Sequence, residues 1–172
     1  MPLTLRKAKV ADVPAMQRII NRYADEGVML PRSLYALYEH IRDYTVALDG
    51  EEVVGCVALH VSWGDLAEIR SLAVADPHLG QGVGRGLVDE ALADALAFGI
   101  ERVFVLTFAA DFFAHLGFRL VDKAELPHKI WQECIDCIHF PDCSEVAMVI
   151  EPGLDPGQEP AGQLAGRSAP SV

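Results

Sequence analysis

The sequence predicts a mixed α/β (α+β) domain: a mostly antiparallel sheet with helices on both faces, in the order β-αα-βββ-α-β-α-β-β. Three observations predict it. Short apolar stretches with strand-like alternation recur along the chain, separated by turn signals. Two helical stripes follow the first strand, with only the linker Val28-Met29-Leu30-Pro31-Arg32 between them. One stretch, Glu68 to Gly99, reads strand, glycine turn, helix, an order that presents backbone N–H groups to an anion.

Each element has its own signal. Leu3 to Ala8 reads as the first strand. Asp12 is an N-cap residue type, and Pro14 is tolerated in a first helical turn. Val13, Met16, Ile19, Ile20 and Tyr23 then form a stripe that Gly27 ends. Ser33 caps a second helix with Leu34, Leu37, Tyr38 and Ile41 on one face. Tyr44 to Leu48 and Glu52 to Val61 are strands joined by Asp49-Gly50, a strong hairpin signal. Trp63-Gly64-Asp65 turns the chain into Leu66 to Val74, and Asp76-Pro77 ends that strand. From Leu87 the period becomes helical through Val88, Ala91, Leu92, Ala95 and Leu96, with Gly99 as the stop. Arg102 to Phe108 is a dense apolar strand, Asp111 to Leu116 a short helix before Gly117, and Phe118 to Val121 a strand. Pro127 to Ile135 reads as a surface helix or turn, and Glu145 to Ile150 as the final strand. From Pro152 the chain is rich in Pro, Gly and Ser without a periodic apolar face. Residues 1–151 therefore read as one folded domain and 152–172 as a disordered tail.

With 172 residues, 51% of them apolar, the chain is long enough to bury one core. Its 14 Lys and Arg against 25 Asp and Glu give a formal charge of −11, which excludes nucleic acid as the expected partner. There is no signal-peptide core at the start and no apolar run of membrane-spanning length, so the expected setting is cytoplasmic and away from membranes. Cys134, Cys137 and Cys143 crowd late in the chain, with His139 between them. A C-x-x-C pair is a zinc spacing, with His139, His128 or Cys56 as the remaining ligand choices. A second pair is missing, so reduced thiols packing a loop are the preferred reading and no metal is expected. His40, His60 and His78 show no partner in the sequence and read as surface or packing residues.

Gly80, Gly82, Gly84 and Gly86 alternate with other residues just before the long helix. Glycines let the backbone approach a ligand closely, and the first N–H groups of a helix lack internal partners. Together they make a seat for a phosphate or pyrophosphate. No Lys follows, as a Walker loop would need, and the spacing G-x-G-x-G-x-G fits a dinucleotide fingerprint poorly.

The run Leu72-Ala73-Val74, Pro77, Leu79-Gly80-Gln81-Gly82-Val83-Gly84 resembles motif A of the GNAT superfamily of acetyl-CoA-dependent N-acyltransferases. Leu79 departs from it, standing where the family usually has Gln or Arg. The resemblance covers Leu3 to Ile150 and implies the GNAT fold and an acetyl-CoA site formed by Leu72, Ala73, Val74, Leu79, Gly80, Gln81, Gly82, Val83, Gly84, Arg85 and Phe112. The segment between the first two helices usually covers the acceptor in that superfamily. The strings Glu26 to Ser33, Glu68 to Val74, Val103 to Thr107, Phe112-Phe113 and Leu126 to Lys129 are similar to the N-acetylglutamate synthase branch, in a short form without a kinase domain. That implies acetylation of the α-amine of a small amino acid, L-glutamate first, as in arginine biosynthesis. The implied acceptor residues are Leu30, Arg32, Arg70, Leu106 and Lys129. A homodimer is compatible with such a domain.

Acyl transfer to an amine needs a base, a donor to the thioester oxygen and a proton for the leaving thiolate. Glu68, on the strand leading into the glycine turn, is the candidate base, directly or through water; a plain charge at a sheet edge is its competing reading. The resemblance places the oxygen donor at a main-chain N–H near Ala73 or Val74, where that strand splays from its neighbour. The usual tyrosine acid is replaced by Phe113, so either the thiolate leaves without an acid or another group serves, with His115, Tyr23 and Tyr35 as the choices. Longer relatives carry an Arg just after Leu-Thr, where this chain has Phe108-Ala109-Ala110. Acetylation of another small amine or a protein N-terminus, and a non-catalytic acyl-CoA-binding module, are the competing functions.

Overall fold

The computed structural model describes residues 3–126 and 145–153. The elements are β1 (Leu3–Lys7), α1 (Val13–Asp25), α2 (Leu34–Glu39), β2 (Tyr44–Asp49), β3 (Glu52–Trp63), β4 (Leu66–Val74), α3 (Val83–Ala97), β5 (Arg102–Thr107), α4 (Ala110–His115), β6 (Arg119–Val121) and β7 (Val146–Ile150). This is the order expected from the sequence. The surface segment expected at Pro127 to Ile135, the late cysteines and most of the expected tail lie outside the described residues.

One seven-stranded sheet runs β1-β2-β3-β4-β5-β7-β6. Every neighbouring pair is antiparallel except β4 and β5. On one face, α1 and α2 bury Val13, Met16, Ile20 and Leu37 against Val46, Cys56, Ala58 and Ala73. On the other, α3 buries Val83, Leu87, Val88, Ala91 and Ala95 against Val57, Leu59, Ala67 and Ile69, joined by Phe113 and Phe118. A third cluster of Leu66, Phe104, Leu126, Ala147 and Val149 lies toward the β5 and β7 end. Full burial of each Val, Leu, Ile, Phe or Met among them contributes roughly 1.5–3 kcal/mol, so the two large clusters dominate the stability of the sheet.

The local signals explain the boundaries. Ser33 Oγ accepts the Ala36 N–H at 3.1 Å, capping α2 as its residue type requires. Gly99, at φ 78°, closes α3. Helix α3 starts at Val83, four residues before the apolar stripe becomes clear, because glycines at 84 and 86 hide the period. Asp12 corrects an expectation. It precedes α1, but its carboxylate makes no cap bond to the helix. It accepts two hydrogen bonds from Arg6, at 2.7 and 3.0 Å, and one from the Lys9 N–H. A charged guanidinium within reach outbids the helix amides, and the Arg6 hydrogen bonds hold the Asp12 carboxyl below the usual range.

Candidate active site

The site is built where the sheet comes apart. Strand β3 stays paired with β4 as far as Val74, whereas β5 pairs with β4 only from Leu66 to Glu68. Beyond Glu68 the main chain of β4 on the β5 side has no ladder partner among the described residues. Backbone amides in that position are free to meet a ligand instead. The splay expected next to Ala73 and Val74 is present.

A bulge then reorganises β4. Ser71 and Leu72 together oppose the single Val57, and Ser71 is the one described non-glycine residue at positive φ, 53°. Such a conformation costs of order 1–3 kcal/mol and gathers at functional sites. Its effect here is directional. Strict alternation would send Ser71 to the α3 face, opposite Arg70. Instead Ser71 Oγ lies 3.3 Å from Tyr44 Oη and 3.4 Å from Arg32 Nε, on the α1 and α2 side.

Glu68 is 8% exposed, and it sits on a central strand rather than at a sheet edge. Arg70 Nε donates to Glu68 Oε2 at 2.6 Å, so the two side chains share a face, as their spacing predicts. The polar group of Glu68, Arg70 and Ser71 lies between the cluster under α1 and α2 and the one around Phe104. Arg32 reaches this group because Asn21 and Gln17 of α1 hold its backbone: Asn21 Oδ1 accepts the Arg32 N–H at 3.0 Å, and both amide side chains donate to its carbonyl. Leu30 is half-buried in the same linker, and Leu106 packs on the Phe104 cluster. Lys129 lies outside the described residues.

The glycine turn follows directly. Gly80 and Gly82 have φ of 74° and 81°, a region that disfavours side chains, and Gly82 is the N-cap of α3. The first intrahelical bond runs from the Gly86 N–H to the Gly82 carbonyl at 3.0 Å, so the amides of Val83, Gly84 and Arg85 belong to the open first turn. Gly84 differs: a Cβ there would just touch Phe112 Cζ, at 3.4 Å, so alanine fits and larger side chains reach the ring. Phe112 thus lies beside the glycine turn. Leu79 is exposed, Gln81 Nε2 bonds the Pro77 carbonyl, and the exposed Arg85 faces Asp89 at 3.9 Å.

The tyrosine alternatives separate by geometry. Phe113 is buried between Phe112 and Phe118, with no polar function. Tyr35 is 75% exposed, and His115 bonds the Asp111 carbonyl on its own helix. Tyr23 Oη donates to the Val74 carbonyl at 2.5 Å, where β4 enters the glycine turn. Burial raises the Tyr23 and Tyr44 hydroxyls above their ordinary range, keeping both protonated as donors. Beneath the bulge, burial pushes the Cys56 thiol up to about 12.

The histidines are surface and packing residues, as expected, with partners that the sequence does not show. His60 Nδ1 lies 3.1 Å from Asp43 Oδ2, His78 Nε2 lies 3.2 Å from Asp49 Oδ2, and the His40 and His60 rings meet edge to face at 5.8 Å. Each partner comes from a different element, so no local sequence pattern announces it. Ser71 and Tyr44 were also missed, because a bulge in the left-handed region leaves no trace in alternation when its residue is not glycine.

The fold and the open helix N-terminus beside a splayed strand define an acyl-CoA-binding acetyltransferase domain, and the comparisons agree. The model of the acetyltransferase (GNAT) family matches residues 14–118. An uncharacterized N-acetyltransferase of Chlorobaculum tepidum is 43% identical over 145 residues, covering 84% of this chain and 94% of the relative. An amino-acid acetyltransferase of Mycobacterium tuberculosis is 39% identical over 132 residues, covering 75% of each chain. Among solved structures, Rv2747 from Mycobacterium tuberculosis in complex with CoA superposes with a TM-score of 0.74 at 35% identity, covering 86% of this chain and 98% of that one. N-acetylglutamate synthase from Neisseria gonorrhoeae, complexed with coenzyme A and N-acetyl-glutamate, superposes with a TM-score of 0.80 at 25% identity over 88% of this chain. This chain spans about a third of that longer protein, 35%.

The chain belongs to the GNAT acetyltransferase family. It is an N-acetyltransferase that uses acetyl-CoA as co-substrate. Among the described residues, no helix is long and apolar enough to cross a membrane.

Proposed function

We propose that this acetyltransferase acylates the α-amine of a small amino acid, L-glutamate or a close relative, in the cytoplasm and in the service of arginine biosynthesis. The observation that carries the reading is the polar group on β4: Arg70 bonded to a buried Glu68, with Arg32 brought to Ser71 in the splayed stretch. Two guanidinium groups beside a buried carboxylate suit an acceptor with two carboxylates and one amine. The names of the Mycobacterium tuberculosis and Neisseria gonorrhoeae relatives support the same acceptor class. The amino-acid acceptor lies on this face, with Leu30 and Leu106 completing its described surroundings; Lys129 joins the proposal on the sequence resemblance alone. The acetyl-CoA pyrophosphate lies over Gly80 to Arg85, and Leu72, Ala73, Val74, Leu79 and Phe112 line the remainder of its path. The folded unit that does this is residues 1–151.

In this reading Glu68, through a water, takes the proton of the α-ammonium. The free amine attacks the thioester carbonyl carbon, whose oxygen gains charge against a main-chain N–H at Ala73 or Val74. The C–S bond then breaks and the amide forms, leaving CoA thiolate to be protonated. Tyr23 is the hydroxyl of the three alternatives that is tied to this strand.

The test is thiol release from acetyl-CoA with a panel of amino acids and amines. Glutamate is expected as the best acceptor. Arg32→Ala and Arg70→Ala are each expected to raise KM for glutamate about ten- to a hundredfold, the equivalent of a lost charge-assisted hydrogen bond, with little change in KM for acetyl-CoA. Preference for neutral or cationic amines would overturn the acceptor assignment. Equal effects on both KM values would remove these arginines from the acceptor site.

A further inference from the structure

We propose that His40, Asp43 and His60 form a binding site for a borderline divalent transition metal, with zinc as its natural occupant. The three residues come from the C-terminal end of α2, the single turn before β2, and β3. One donor atom from each lies within 4.8 Å of the other two. His60 Nδ1 and Asp43 Oδ2 are 3.1 Å apart, and His40 Nδ1 and Asp43 Oδ2 are 4.0 Å apart. Zinc bonds of about 2.0–2.1 Å in tetrahedral geometry put neighbouring donors about 3.3 Å apart. The first pair already meets that spacing; the second is longer, and the two imidazole donors lie within 4.8 Å of each other, so His40 has to move in toward both partners. His40 is half-exposed at a helix end, and its one ring contact is the edge-to-face packing on His60, the other imidazole of the site.

The surroundings fit the chemistry of such a centre. Metal-binding imidazoles usually give their second ring nitrogen to a carboxylate, which fixes the tautomer. With His40 ligating through Nδ1, its Nε2 faces Glu39 Oε2 at 3.7 Å. Two imidazoles and one carboxylate favour zinc, cobalt or nickel over magnesium or calcium, whose ligands are oxygens. Three protein ligands leave further positions to water. The site is distinct from the acetyl-CoA seat, and it is built on the same sheet face as Glu68, since His60 is the cross-strand neighbour of Glu68. A bound cation ties the end of α2 to β3, and so fixes one wall of the acceptor side.

The experiment uses the full chain with Cys134, Cys137 and Cys143 changed to Ser, so that the late thiols do not compete for metal. Calorimetric titration with zinc chloride at neutral pH is expected to give one zinc per chain. Cobalt(II) is expected to produce visible absorption of a three- or four-ligand site. His60→Ala is expected to weaken zinc binding by a hundredfold or more, and Glu39→Gln by about tenfold through the lost outer partner. His40→Ala is the second ligand variant, chosen because its side chain supports no core. Zinc is expected to raise the Tm of the parent, and not of either ligand variant. No saturable zinc binding, or binding unchanged in both His60→Ala and His40→Ala, would overturn the assignment.

Discussion

At the scale of single residues, burial decides which charges matter. Asp12 is 7% exposed and bonded to Arg6 and to the Lys9 N–H, whereas the surface pair of Arg85 and Asp89 is open to solvent and contributes little. The folded-state carboxyl of Asp12 is held low, chiefly by Arg6. A group with a lowered folded pKa stabilises the fold above its unfolded value, about 3.9, and loses that contribution as pH falls through the folded value. Asp12→Ala is therefore expected to cost about 1.5–3 kcal/mol in urea unfolding at neutral pH, with the gap to wild type closing below about pH 4. A gap independent of pH would mean that Asp12 acts by packing alone. The same scale shows what the sequence hides. Glu68 and Arg70 were readable as a pair because alternation is a local rule. Ser71 was not, because its backbone conformation is imposed by the bulge and by the bonds its hydroxyl makes to Tyr44 and Arg32, residues 27 and 39 positions away.

At the scale of elements, the glycine turn was the most legible part of the chain, since Gly80 and Gly82 answer a local backbone demand. Gly80 and Gly82 need the left-handed region, and a Cβ at either would meet nothing within 4 Å. Gly84 lies within α3, and a Cβ there would just reach van der Waals contact with the Phe112 ring. Gly84→Val therefore pushes two branched methyl groups toward Phe112 and into the path over the first turn of α3. We expect its acetyl-CoA Kd, by calorimetry, to rise more than tenfold, with the far-UV spectrum retained. Gly80→Ala, which adds strain of about 1–2 kcal/mol but no obstruction, is expected to lower Tm with a smaller effect on Kd. The reverse ranking would move the pyrophosphate away from the helix terminus. The start of α3 was read late for the related reason that glycine carries no hydropathy, so the first turn is silent in any periodic pattern. The histidine partners were silent too, since α2, the turn before β2, and β3 meet only once the sheet is formed.

At the scale of the whole molecule, a chain of net charge −11 binds an anionic co-substrate and, in our reading, an anionic acceptor. Net charge acts over the Debye length, which shrinks from about 30 Å at 0.01 M salt to about 8 Å at 0.15 M. The N–H groups of the α3 first turn act only within that turn, at contact distances shorter than the Debye length at either salt concentration. The two contributions thus separate by distance: long-range repulsion slows the approach of acetyl-CoA, and short-range backbone dipoles hold it once seated. Raising salt removes the first and largely spares the second. The association rate for acetyl-CoA, measured by stopped flow, is therefore expected to rise a few-fold between these two salt concentrations, while the dissociation rate changes little. This is the opposite sign to that of a protein that recruits phosphates with a basic surface. An association rate that falls with salt would show that cations near the turn, Arg85 first among them, govern the encounter. In that case the argument from net charge would give way to one from local side chains, and Arg85→Ala would be expected to abolish the salt dependence.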